Sequence, residues 1–98
     1  MNIIEFLEAR IAEDEAAALA ASKQKWRAKG WAIEYAQRVL AECAAKRAII
    51  KLADLVESMD YQITREWGGD IDGTGEDILK ALAAVYKDHP DYQQEWVA

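Results

Sequence analysis

The sequence predicts an all-α fold, a small helical domain in which one long central helix packs antiparallel on an N-terminal helix, with a shorter C-terminal helix and an aromatic tail. Three observations lead to this prediction. Residues 35–67 contain neither Gly nor Pro and are rich in Ala, Leu, Glu, Lys and Arg, which are strong helix formers. Apolar residues near the N-terminus recur at the helical period. Four of the five glycines follow residue 67, and the one proline is Pro90, so these helix breakers lie outside the long central segment.

The first helix is predicted over about residues 3–21. Asn2 is a suitable N-cap, and Glu5, three positions later, completes the pattern of a capping box. The apolar stripe that follows is interrupted at Asp14 and Glu15, where the helical period calls for an apolar side chain. We therefore expect a carboxylate to face inward at this point.

Residues 22–34 are predicted to connect the first two helices. This segment loses the helical period, and Gly30 lies between Trp26 and Trp31. Two structures remain open for it. One is a short β-hairpin, since Trp31 and Ile33 favour strands, and the other is an irregular loop.

The long helix is predicted over about residues 35–67. At about 1.5 Å per residue it would measure on the order of 45 Å, more than the diameter of a compact domain of this size. Its ends must therefore stand clear of the body or be covered by a partner. Two helically spaced apolar stripes run along it. The first contains Ala36, Val39, Leu40, Cys43 and Ile50, and the second contains Ile49, Leu52, Ala53, Val56, Ile63 and Trp67.

A polar cluster is predicted between the first two helices. Lys46 and Arg47 interrupt the first stripe of the long helix, as Asp14 and Glu15 interrupt the stripe of the first helix. An ion pair between one of these acids and one of these cations would give both charged side chains a partner between the helices. Because desolvation roughly offsets the attraction within such a pair, we expect the cluster to have an architectural role and to add little net stability.

The rest of the chain is predicted to form a Gly/Asp loop over 68–74, a third helix over about 75–87 and a tail over 88–98. All of these elements are expected to belong to a single domain of residues 1–98. The loop contains some of the Asp and Gly residues of a calcium-binding loop. However, Leu79 stands where that pattern requires a Glu. We therefore expect a flexible turn that ends the long helix and binds no ion.

Composition narrows the classes of partner. The 98-residue chain has a net charge of −6, which argues against binding to the phosphate backbone of a nucleic acid. Its apolar runs are too short for a signal peptide or a membrane span, so we expect no membrane association. The single cysteine, Cys43, cannot form an intramolecular disulfide, which indicates a reducing compartment and a cytoplasmic location.

No catalytic site is predicted. Cys43 lies on an apolar stripe, where a reduced cysteine usually acts as a small hydrophobic residue. His89 is the only histidine, and no second titratable group is fixed beside it by the sequence, so we interpret it as a turn anchor. We therefore expect a protein that is not an enzyme and that uses no cofactor and no metal.

One enzymatic alternative stays open. Glu5 with Glu8 and Asp54 with Glu57 have the spacing of the paired acids in metal-dependent all-α nucleotide hydrolases. Glu42 and the three consecutive acids at 13–15 could join them in a magnesium site. Such spacings are common in Glu-rich helices, where acids also form surface ion pairs. A thermal shift on titration with magnesium or manganese would distinguish this enzymatic alternative from a protein that is not an enzyme.

The aromatic residues predict binding to a protein partner, either another protein or a second copy in a homodimer. Aromatic side chains are enriched where proteins meet. The alternative is that these rings form the core of a domain otherwise built from alanine. The candidate interaction surface contains Trp26, Trp31, Trp67, Tyr92 and Trp96.

Three segments resemble an uncharacterised family of short proteins from actinobacteria and their phages. They are FLEARIAEDE near the start, RVLAECAAKRAII in the long helix and YKDHPDYQQEW at the end. The ending HPDY-x-x-EW, together with VLAE-x-x-AKR, is the more specific part. The resemblance implies a phage accessory protein in the host cytoplasm, and it supplies no catalytic residues or cofactor. This chain departs from many of the relatives by having only a short Gly/Asp loop between the long helix and the last one, where they have an extra Cys-containing or Pro-rich loop.

Overall fold

The computed structural model describes residues 1–23, 30–67 and 73–97, and within these ranges most of the chain is helical and no strand is present. Helix α1 spans Ile3–Ser22, α2 spans Gly30–Trp67 and α3 spans Thr74–Ala83. Two short 3-10 helices follow, at Ala84–Tyr86 and Gln94–Trp96. The predicted all-α fold is confirmed.

Helix α2 begins earlier than predicted. The connecting segment was expected to reach residue 34, yet α2 already includes residues 30–34. The second strand of the alternative hairpin is therefore wrong. The physical reason is that adding a residue to an existing helix costs far less than starting one, so Trp31 and Ile33 follow the helix despite their preference for strands. The rest of the connecting segment, residues 24–29, and most of the Gly/Asp loop, residues 68–72, lie outside the described residues.

Helix α1 starts with the predicted capping box. The backbone N–H of Glu5 donates to the Asn2 side chain over 2.8 Å, and the N–H of Asn2 donates to the Glu5 carboxylate over 3.2 Å. The helix then buries Phe6, Leu7 and Ile11 completely. These three side chains place the core along the inner side of α1.

Helices α1 and α2 are antiparallel. The end of α1, at Ala18 and Ala21, lies beside Ala36 near the start of α2, whereas Glu8, near the start of α1, lies beside Ile50. Between these points Cys43 lies against the Ile11 carbonyl, and the Glu15 and Arg47 side chains meet. The first predicted stripe of α2 is the inward one, with Cys43 and Ile50 buried. The second stripe is only partly buried. Ala53 is buried, but Leu52 is 59% exposed.

Helix α3 runs antiparallel to α2 on the same side as α1. A Cβ added at Gly75 would overlap the backbone oxygen of Ala53, so the two helices touch backbone to backbone there. Gly73, just before α3, has a φ of 95°, a conformation that favours glycine. The N-terminus of α3 is capped from α2, because the Glu76 N–H donates to the Glu57 carboxylate over 3.2 Å.

The tail closes the core at one end. Phe6 is the centre of an aromatic cluster, and Trp96 is 4.9 Å from it between ring centroids. The other aromatic neighbours of Phe6 are Tyr86, His89 and Tyr92. At about 1.5 Å per residue, the 38 residues of α2 measure about 57 Å. The longest dimension of the protein is 61 Å and its radius of gyration is 17.0 Å, against about 13 Å for a compact domain of this length.

Candidate functional site

The predicted polar cluster is present where α1 faces α2. The Arg47 guanidinium contacts the Glu15 carboxylate through hydrogen bonds of 2.6 and 3.4 Å. Both side chains are half-buried, with exposed fractions of 41% and 30%. The hydrogen bond from Arg47 lowers the pKa of Glu15, and partial burial opposes this effect. Because water reaches both groups, their desolvation penalty is smaller than that of the buried pair expected from the sequence.

Asp14 and Lys46 meet through a third residue that the sequence analysis did not assign to the cluster. The Tyr86 hydroxyl donates to Asp14 over 2.8 Å and accepts from Lys46 Nζ over 3.1 Å. Burial, followed by the hydrogen bond to the Asp14 carboxylate, raises the pKa of Tyr86. Lys46 also lies 5.1 Å from the centre of the Tyr86 ring. The cluster therefore joins α1, α2 and the 3-10 helix after α3.

A second polar group surrounds Arg10, which the sequence analysis missed. Arg10 is only 7% exposed. Its guanidinium donates to Glu13, His89 and Asp91 over 2.9, 3.0 and 3.4 Å, and it lies 5.2 Å from the Phe6 ring. The backbone N–H of Asp91 also donates to Nδ1 of His89, over 3.0 Å. Two donors, the Arg10 guanidinium and the Asp91 N–H, therefore meet at Nδ1 of His89.

This arrangement fixes the tail on α1 and confirms His89 as a turn anchor. The signal that could have revealed it is the position of Arg10, three residues after Leu7 and next to Ile11 on the buried side of α1. A cation at such a position needs acceptors from another part of the chain. The turn around Pro90 supplies them, with His89 before the proline and Asp91 after it.

The predicted aromatic interaction surface is not assembled by the described residues. Trp26 lies outside them, and the side chains of Trp31 and Trp67 are also outside the described part of the structure. Trp96 is buried and Tyr92 is half-buried, with their ring centroids 5.6 Å apart. The ring of Trp96 is packed against Phe6 in the core, which is the placement expected from the alternative interpretation of the aromatic residues.

The other side chains considered for chemistry are the Cys43 thiol and the helix carboxylates. Burial raises the pKa of the Cys43 thiol, and the nearby acids Asp14 and Glu15 raise it further. Glu5 and Glu57 accept backbone hydrogen bonds at the starts of α1 and α3. Within residues 1–23, 30–67 and 73–97, no three His, Cys, Asp or Glu residues are grouped so that they could hold a metal ion.

A cleft of about 330 Å³ lies between α1 and the first half of α2. Its walls are mainly small apolar residues, including Ala18, Ala36 and Val39. Its polar end is formed by Asp14 and Lys46, which are both bonded to Tyr86. The exposed residues Tyr35 and Glu42 also line the cleft, and the Glu42 carboxylate lies 3.9 Å from Arg38.

The most unusual surface is on the side of α2 that faces away from α1 and α3. We call it the outer stripe, and it consists of Ala41, Ala45, Ala48, Leu52, Leu55 and Met59. All six are exposed. Leu52, Leu55 and Met59 are 59%, 57% and 51% exposed. Their alternating spacing of four and three residues is the heptad pattern of helices that pack along each other.

The outer stripe was only partly foreseen from the sequence. Leu52 belongs to the second predicted stripe, in which its neighbour Ala53 is buried. Because two apolar stripes share one helix, the residues that become buried are those that α1 and α3 cover.

In the part of the chain that the structure describes, no helix is both long and apolar enough to cross a membrane.

Comparisons place the chain in a protein family. The model described as Family of unknown function (DUF6221) matches residues 1–98, the whole sequence. Neither the curated proteins nor the solved structures give a match. The role of the outer stripe must therefore be argued from its own physical properties.

Proposed function

Since the chain belongs to the family of unknown function DUF6221, we propose its role from its surface: it is a small, non-catalytic interaction module that binds a host protein or a second copy of itself. The observation that carries this proposal is the outer stripe. It places three large apolar side chains, each more than half exposed, along one line of α2. A contiguous exposed apolar patch is typical of a surface that binds another protein.

The positions of the charged residues support the same role. Glu15, Arg47, Asp14 and Lys46 are bonded to one another or to Tyr86, and Arg10 holds the tail. Each of these contacts joins two or three helical segments. These charges therefore have an architectural role and leave binding to the apolar side of α2.

The proposal includes the setting in which the protein acts. The resemblance to proteins of actinobacteria and their phages supports a phage accessory protein in the host cytoplasm. The net charge of −6 supports protein partners over nucleic acids.

Photo-crosslinking in actinobacterial cells tests the proposal. A photoreactive amino acid replaces Leu55 in one variant and Val85 in the control, because Val85 is apolar and 63% exposed but lies outside α2. We expect protein adducts from position 55 and few from position 85. An absence of adducts at position 55, or equal yields at both positions, would contradict an interaction role for the outer stripe.

Magnesium and manganese titration tests the enzymatic alternative. A metal-dependent hydrolase gains stability when its ion binds, since binding to the folded state alone raises the melting temperature. For the interaction module we expect no shift with either ion. A saturable shift that Glu42→Gln or Asp54→Asn removes would support the alternative in its place.

A further inference from the structure

We infer that the occupant of the outer stripe is a second copy of this chain, paired antiparallel along α2 and centred near Leu52. This inference rests on the proposed function and names the partner and the surface. It is carried by three properties of α2: the distribution of side-chain size, the charges at the ends of the stripe and the length of the exposed side.

The side chains of the outer stripe are small at its N-terminal end and large at its C-terminal end. Its N-terminal half contains only alanines, and its C-terminal half contains Leu52, Leu55 and Met59. Two helices approach to about 8 Å over small residues and to about 10 Å over large ones. A parallel pair would therefore converge at the alanine end and leave gaps, whereas an antiparallel pair sets alanines opposite large side chains along its whole length.

Charge supports the same orientation. Arg38 lies seven residues before Ala45, and Glu66 lies seven residues after Met59, so both continue the heptad pattern. An antiparallel pair centred near Leu52 brings Arg38 of each copy close to Glu66 of the other. A parallel pair in register would place Arg38 beside Arg38 and Glu66 beside Glu66, which is unfavourable. Among the described residues, Arg38 forms one ion pair, a contact of 3.9 Å with the exposed Glu42.

The exposed side is long enough for a specific interface. From Arg38 to Glu66 it extends about 43 Å, and a helix with side chains is about 10–12 Å wide. This gives on the order of 500 Å² per copy and 1,000 Å² for the pair, which is at the lower limit of specific interfaces. We therefore expect a dimer that dissociates on dilution.

Helices α1 and α3 leave this side of α2 uncovered. Helix α1 contacts α2 at Cys43 and Arg47, and α3 contacts it at Ala53 and Glu57. At 3.6 residues per turn, these positions lie on the opposite side of α2 from the outer stripe. Two copies can therefore pair without moving α1 or α3.

Sedimentation equilibrium of the full chain tests whether the second copy binds. Between about 1 μM and 1 mM, we expect the purified protein to change from monomer to dimer. Leu55→Glu should weaken the dimer by at least about tenfold, because it places a charge in the centre of the apolar contact. Val85→Glu is the matched control, and it should leave the dissociation constant unchanged.

The outcomes separate this inference from the proposed function. A chain that stays monomeric at every concentration, or an equal effect of the two Glu variants, overturns the second copy as partner. If such a monomer still forms adducts with another protein at position 55 in cells, the interaction role stands with a different partner. Circular dichroism of both variants verifies that the helices are intact, and Leu55→Ser, a milder change, is used if Leu55→Glu unfolds.

Thiol cross-linking tests the orientation. Arg38→Cys and Glu66→Cys are made separately in a Cys43→Ala background, given tags of different size, mixed, and treated with a short bismaleimide. We expect the mixed product that joins position 38 to position 66 to exceed both products that join like positions. Predominance of the like products would overturn the antiparallel arrangement.

Discussion

The Tyr86 hydroxyl donates a hydrogen bond of 2.8 Å to the Asp14 carboxylate. This contact joins the 3-10 helix after α3 to the middle of α1, although the two residues are far apart in sequence. Lys46 of α2 donates to the same hydroxyl. One phenol oxygen therefore connects three helical segments, and it separates an acid and a cation that were expected to meet directly.

Replacing Tyr86 with Phe should lower the free energy of unfolding by about 1–2 kcal/mol. The variant removes one donor and one acceptor at a half-buried position and leaves Asp14 and Lys46 without that partner. Urea denaturation measures the change. Tyr35→Phe is the control, since Tyr35 is 63% exposed and should give no change. Equal stabilities of the two variants would show that the Tyr86 hydroxyl is not a structural bridge.

Acid should remove part of the stability through Glu15. The hydrogen bond from Arg47 lowers the pKa of Glu15 in the folded state below its value of about 4.3 in the unfolded state. The unfolded state then binds more protons, so this contribution is fully present above the unfolded pKa and is lost as the pH falls through the folded pKa.

Glu15→Gln should therefore reduce the decline in the free energy of unfolding from about pH 5 downward. Denaturation series at several pH values measure it. Glu34→Gln is the control, because Glu34 is exposed on α2, and its pH profile should match that of the unmodified protein. If the two substitutions give the same profile, the ion pair with Arg47 has no role in acid stability.

Gly75→Ala should destabilise the fold by about 1–3 kcal/mol. The added methyl group would overlap the Ala53 carbonyl oxygen and force α3 away from α2. Gly30→Ala is the matched control, since a Cβ at Gly30 meets nothing within 4 Å and alanine favours the helix. Thermal unfolding should show a lower melting temperature for the first variant and an equal or higher one for the second. The reverse order would contradict close backbone packing of α3 on α2.

Arg10→Leu should detach the tail and lower the free energy of unfolding by about 2–3 kcal/mol. The substitution keeps an apolar side chain beside Phe6 but removes the hydrogen bonds to His89 and Asp91. Hydrogen exchange of residues 89–97 should become faster than in the unmodified protein. Lys87→Leu, at an exposed position, should leave exchange in the tail unchanged. Unchanged exchange in the Arg10 variant would show that aromatic packing alone holds the tail.

The sequence alone determined the all-α fold, the start of α1 and the ion pairing between α1 and α2. The capping box at Asn2 acts within one turn, and helix-forming residues act through their own backbones, so neither needs a distant partner. The pairing of Glu15 with Arg47 was also predictable, because two charges that interrupt facing apolar stripes attract each other.

Only the tertiary structure decided which side of α2 is buried and which groups complete the polar contacts. Tyr86, Glu57 and Arg10 find partners on other helices or in the tail, and no spacing in the sequence specifies those distances. Leu52 is exposed and Trp96 is buried for the same reason. Burial of an apolar side chain requires another segment to cover it, and that segment is brought there by the packing of the whole chain.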